Sequence, residues 1–159
     1  MNSTNQAVKT SGKKPTLKKG SQGPDVAELQ KLLKNLGAYR QNADGIFDDD
    51  VEYGVKLYQF RVFLPQDGIV GPKTWRALYT GAPVDMPVLK VGSKGEAVKT
   101  LQKVLQLTQI YLGVIDGDFN TVTDAAVRSF QKSVGVVADG IVGPKTWEAL
   151  SQIPRGYNP

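Results

Sequence analysis

Apolar residues recur at steps of three and four along three stretches of this 159-residue chain, and the same stretches return 72 residues later. Val26, Leu29, Leu32, Leu33 and Leu36 form the first stripe, repeated by Val98, Leu101, Val104 and Leu105. Val55, Tyr58 and Val62 form the second, matched by Val127, Phe130 and Val134. Trp75 with Leu78, and Trp147 with Leu150, make a short third. Such spacing puts each stripe on one face of an amphipathic helix. The pattern predicts an all-α chain of two three-helix bundles.

The punctuation agrees with the stripes. The first helix of each copy opens at Gly23-Pro24-Asp25 or Gly95-Glu96-Ala97, and the second near Asp48-Asp49-Asp50 or Asn120-Thr121. The third opens at Gly71-Pro72 or Gly143-Pro144. Proline at a first helical position loses no hydrogen bond, because that N–H has no intrahelical partner. Acids in the first turn suit the positive end of the helix dipole. Asp44-Gly45, Asp67-Gly68, Asp116-Gly117 and Asp139-Gly140 are turn signals, in which glycine supplies positive φ and aspartate bonds nearby backbone. Thr74 and Thr146 fall in the first turn of a third helix, where their hydroxyls are expected to bond back to the cap.

Asp67 through Trp75 recurs letter for letter as Asp139 through Trp147, and 28 of 62 gapless columns from Leu17 to Leu78 are identical to Leu89 through Leu150. The chain is therefore one small module written twice. The expected map is a flexible basic tail over 1–16, modules over 17–80 and 89–153, a linker over 81–88 containing Pro83 and Pro87, and an extended tail over 154–159. The copies differ at Gly54, where the second has Ala126. They differ again at Phe60, Phe63 and Leu64, which face Lys132, Gly135 and Val136. That extra apolar bulk is expected in the core or between modules.

Modules of about 60 residues bury only about 60% of their unfolded surface, so each needs a compact core. The chain has no cysteine and no histidine, which removes disulfides, thiolate metal sites, a cysteine nucleophile and the commonest general base and metal ligand. No cofactor is expected. No apolar run reaches membrane-spanning length, and no signal peptide is visible. The formal charge of +5 comes from residues 1–20, which hold Lys9, Lys13, Lys14, Lys18 and Lys19 and no acid; the rest has 15 bases against 15 acids. A nucleic-acid domain carries its basic stripe on the fold. Nucleic acid is therefore not an expected partner, and a three-helix nucleic-acid binder is the weakest rival reading. A monomer without membrane insertion is expected.

Several repeated residues are candidates to touch a ligand. Trp75 and Trp147 are read either as core or as platforms for sugar faces. Asp67 and Asp139 either form turns or bind an amine or hydroxyl. Gln30, Gln59, Gln102 and Gln131 recur beside apolar faces without a propensity reason, and either bond a turn or donate to ligand. Tyr39 and Tyr111 are candidates for a groove rim. Lys73 and Lys145 are either solvated or pair with carboxylates. No catalytic residue is predicted: of the Asp48, Asp49, Asp50 and Glu52 cluster, the second copy replaces the three aspartates by Asn120, Thr121 and Val122, and the helix dipole accounts for acids at a helix start.

These residues resemble the type 1 peptidoglycan-binding domain. The second copy carries the pattern as Gly95, Val98, Leu101-Gln102, Asp116 through Phe119, Ala126-Val127, Phe130-Gln131 and Asp139 through Leu150. The first carries it as Gly23, Val26, Leu29-Gln30, Asp44 through Phe47, Val55, Tyr58-Gln59 and Asp67 through Leu78. Departures are Asp48 and Asn120 where the family has glycine, Val51 against Thr123, and Leu64-Pro65 where a glycine-leucine pair is usual. The resemblance implies non-catalytic binding of bacterial cell-wall peptidoglycan, as stem peptide or glycan strand, in the cell envelope. Tandem sites imply avidity. The alternative is the wall-targeting portion of, or an accessory to, a peptidoglycan hydrolase, which would then be a partner.

Overall fold

The computed structural model describes residues 14–157. Six helices follow in order: α1 (Pro24–Asn35), α2 (Asp49–Arg61), α3 (Pro72–Thr80), α4 (Glu96–Leu107), α5 (Thr121–Ser133) and α6 (Pro144–Ser151). Among the described residues, extended pairing is confined to isolated antiparallel bridges: Leu17 with Val70, Gln22 with Ile46, Leu89 with Val142 and Lys94 with Asp118. Two compact units meet in sequence between Val84 and Asp85, and Tyr157 belongs with the first.

The stripes form the cores. Val26, Leu29 and Leu33 of α1, Val51, Val55 and Tyr58 of α2, and Trp75 and Leu78 of α3 cluster in the first unit. Val98, Leu101, Leu105, Val127, Phe130, Trp147 and Leu150 are buried in the second. Each such side chain contributes about 1.5–3 kcal/mol by leaving water. Val134 departs from its stripe and is 41% exposed. It caps the end of α5, and the chain turns away at Gly135 with φ 78°.

Helix starts follow local chemistry. Asp48 Oδ1 accepts from Val51 N at 3.0 Å, and Asn120 Oδ1 accepts from the amides of Val122 and Thr123 at 3.0 and 3.1 Å, the usual N-cap device. Gly71 and Gly143 cap α3 and α6 without a side-chain bond. Thr74 and Thr146 therefore do not bond back to the cap; their hydroxyls accept instead from glutamines, described below.

The module boundary differs from the expected one. Residues 1–13 of the predicted tail lie outside the described residues, but Lys14 and Pro15 are built into the first unit. Trp75 Nε1 donates to Pro15 O at 2.9 Å. Lys14 Nζ lies 3.1 Å from Asp25 Oδ1 and 2.5 Å from Glu28 Oε1, and 5.7 Å from the Trp75 ring centre. Tyr79 donates its hydroxyl to the same Glu28. Burial opposes the Lys14 charge, but hydrogen bonds to Glu28 and Asp25 outweigh it and hold the ammonium well above the ordinary lysine range. Lys14 is thus a packed cation rather than part of a solvated leader.

The expected linker is likewise divided. Val84 packs against the first core, while Pro87 O accepts from Trp147 Nε1 at 2.8 Å. At the other end, the Tyr157 ring packs within the first unit, 5.7 Å from Tyr53 and 5.2 Å from Phe60; residues 158–159 of the predicted tail lie outside the described residues.

The asymmetries acquire reasons. A Cβ on Gly54 would lie 2.7 Å from Ala38 O, so α2 needs glycine to approach that carbonyl. Leu64 joins the core. Phe63 holds φ 64° and Gln109 φ 65°, where the other copy has Gly135 at 78° and Gly37 at 74°.

Candidate functional site

Each module clamps its two Asp-Gly turns with buried glutamines. Gln131 Nε2 lies 3.1 Å from Asp139 Oδ1, 2.9 Å from Ile141 O and 3.1 Å from Thr146 Oγ1. Its Oε1 accepts from Gly140 N at 3.0 Å. Gln59 repeats this with Asp67, Ile69 and Thr74 at 3.0, 3.0 and 3.2 Å, and with Gly68 N at 3.0 Å. The preceding turns use the same grip: Gly45 N donates to Gln30 Oε1 at 2.8 Å and Gly117 N to Gln102 Oε1 at 2.9 Å. Gln30 Nε2 lies 3.0 Å from Asp44 Oδ1, and Gln102 Nε2 3.2 Å from Asp116 Oδ1. An amide buried without partners would cost about 1–3 kcal/mol; these are saturated from within.

Burial separates the predicted site residues into two groups. The four glutamines are at most 1% exposed, so of their two readings the turn bond is the one observed. Tyr39 and Tyr111 are buried, not on a rim. Their hydroxyls accept from Gln30 and Gln102 at 3.1 and 3.3 Å, and donate to Asn42 O and Val114 O at 3.3 and 2.5 Å. Burial pushes the Tyr39 phenol above its ordinary range. Trp75 and Trp147 are 2% and 1% exposed, and each indole N–H is taken by a backbone carbonyl. That corrects the sugar-platform reading, because neither ring shows a face to solvent. Asp67, Asp139, Lys73 and Lys145 remain on the surface.

In the second module two of these border a shallow pocket of about 360 Å³. Its walls come from three segments: the turn after α5 (Gly135, Val136, Val137), the Asp139–Ile141 turn, and the start of α6 from Gly143 to Thr146. Asp139 and Lys145 were ligand candidates in the sequence. Val137 and Ile141 were not, and they are 76% and 42% exposed; their sequence signal is only that they are apolar and fall outside every helical stripe. The amide of Ile141, joined by that of Gln131, outweighs partial burial and holds the Asp139 carboxyl below the usual carboxylate range. The pocket thus offers a carboxylate, an ammonium and an apolar floor. The first module has Phe63, Leu64 and Pro65 where this wall has Gly135, Val136 and Val137.

Three of the four carboxylates at the start of α2 are engaged within the module. Asp48 caps the helix, Asp49 pairs with Lys19 at 2.5 Å and Glu52 lies 4.0 Å from Lys56. Among the described residues no group of three or more histidines, cysteines, aspartates or glutamates is arranged to hold a metal, and no helix is long and apolar enough to cross a membrane.

The chain is similar to known proteins. The family described as "Putative peptidoglycan binding domain" matches twice, over residues 22–78 and 94–150. The N-acetylmuramoyl-L-alanine amidase CwlM of Mycobacterium tuberculosis is 34% identical over 149 residues, covering 84% of this chain and 37% of the amidase. The amidase CwlL of Bacillus licheniformis is 33% identical over 177 residues, covering 95% of this chain and 49% of that protein. The chain therefore spans less than half the length of either relative. Among solved structures, the SleB N-terminal domain is 38% identical, covering 42% of this chain and 90% of that one, with a TM-score of 0.41.

Proposed function

We propose, since this chain belongs to the peptidoglycan-binding domain family, that its two modules bind bacterial cell-wall peptidoglycan without catalysing a reaction on it. The observation that carries this reading is the family match to both modules, joined to a pocket in the second that brings Asp139 and Lys145 together. The polymer repeats, so two weak sites on one chain hold it by avidity. Such binding puts the protein in the cell envelope. Incubated with insoluble peptidoglycan, the full chain sediments with it and releases neither soluble sugar nor new amine. Clearing of a wall suspension by the pure protein would overturn the non-catalytic reading. Binding that instead falls steeply with salt and is matched on DNA would point to phosphate contacts.

A second reading has its own support. The amidases CwlM and CwlL are much longer than the region they share with this chain, which favours these modules as the wall-targeting portion of a hydrolase, or an accessory to one. Fused to a hydrolase catalytic domain, the modules then lower the enzyme concentration needed to clear a wall suspension.

A further inference from the structure

We infer that the pocket of the second module takes the peptide part of peptidoglycan rather than its sugar strand, an inference that rests on the wall-binding reading above. The pocket is floored by Val136, Val137 and Ile141 and bordered by Asp139 and Lys145. A short wall peptide supplies the complement: methyl groups for the floor, carboxylates for Lys145 and an amine for Asp139. Asp139 Oδ1 is occupied by Gln131 Nε2 and Ile141 N at 3.1 and 2.9 Å. Its Oδ2 accepts no hydrogen bond among the described residues, and the charge of Arg128, which donates to the neighbouring Ala138 O, also favours the carboxylate. A sugar ring matches this surface poorly. Pyranose faces pack on exposed aromatic rings, whose broad apolar faces suit them. No aromatic residue lines this pocket, and Tyr111, Phe119, Phe130 and Trp147 are all at most 2% exposed. Uncharged hydroxyls would also form no ion pair with Lys145 or Asp139. The inference is confined to the second module, because Phe63, Leu64 and Pro65 rebuild the same wall in the first.

The test uses the full chain, labelled with ¹⁵N, and two soluble probes: the free stem peptide released from the wall by an amidase, and the glycan chains left after that release. Sedimentation with intact peptidoglycan runs beside it. The expected result is that the peptide shifts the amide resonances of Val137, Ile141 and Lys145 saturably. Lys145→Gln weakens that binding about threefold, as for an exposed ion pair, and the stripped glycan leaves the three resonances in place. Equal shifts by both probes, shifts by glycan alone, or no shift by either while the chain still sediments, each overturn the peptide inference and leave wall binding standing. Failure to sediment overturns the wall-binding reading itself.

Discussion

The side-chain nitrogen of Gln131 lies 3.1 Å from the Asp139 carboxylate, while the oxygen of the same side chain accepts the amide of Gly140 at 3.0 Å. One residue thus meets both polarities of the turn that carries the pocket's acid. A carboxylate in its place lacks the donor, and an aliphatic chain lacks both groups. Gln30, Gln59 and Gln102 hold their turns in the same way, which explains glutamine beside an apolar stripe four times over.

Gln131→Glu is therefore expected to cost about 3 kcal/mol near pH 7, because it buries an anion without a donor against Asp139. That is a large share of the stability of so small a module. In the ¹⁵N spectrum, resonances of the second module should lose dispersion while those of the first persist. A urea midpoint equal to wild type would count against the clamp.

Gly54→Ala should destabilise the first module, although alanine is the better helix former by about 1 kcal/mol. The new methyl would press on Ala38 O at 2.7 Å, forcing α2 away from the chain after α1. Urea denaturation should show a loss of about 1–2 kcal/mol. A gain of stability would show that the helix accommodates the methyl freely.

Gln109→Gly should raise stability by about 1 kcal/mol, since a left-handed conformation costs an ordinary residue about 1–2 kcal/mol and glycine gives back part of that as unfolded-state entropy. Gln109 is exposed, so nothing is lost with its side chain. Phe63→Gly relieves the same backbone, but its half-buried ring leaves an offsetting loss, and the net change should be near zero. Opposite ranking of the two variants in thermal melts would refute this account.

Acid should weaken both modules through their turns. The amide of Gln30, then that of Ile46, holds the Asp44 carboxyl below its ordinary range. The amides of Asp118 and Gln102 do so for Asp116, and those of Ile141 and Gln131 for Asp139. A lowered folded-state pKa means the contribution is complete above the ordinary aspartate value of about 4. It is lost as pH falls through the folded-state value. Replacing all three by Asn keeps an Oδ1 acceptor and should flatten the decline in urea midpoint between about pH 4 and pH 2. An unchanged decline would place the acid sensitivity elsewhere.

The sequence by itself determined the duplication, the six helices, their starts at Asp48, Pro72, Asn120 and Pro144, and the four Asp-Gly turns. Those features rest on spacing and capping within a few residues, which a linear pattern records. It also left the glutamines with two readings, and tertiary structure chose between them. Their partners on the turns lie 8 to 16 residues away, and those turns reach them only after the helices pack. The same holds for Lys14, read as part of a solvated tail. Its fate depends on α1 bringing Asp25 and Glu28 beside the α3 residues Trp75 and Tyr79. Tyr39, Tyr111 and both tryptophans carry polar tips that suit a surface as well as a core, and only the supply of a buried acceptor for each tip settled the matter. The pocket gathers Val137, Ile141 and Lys145 from three segments. A surface assembled that way has no period along the chain, so it exists only in the folded molecule.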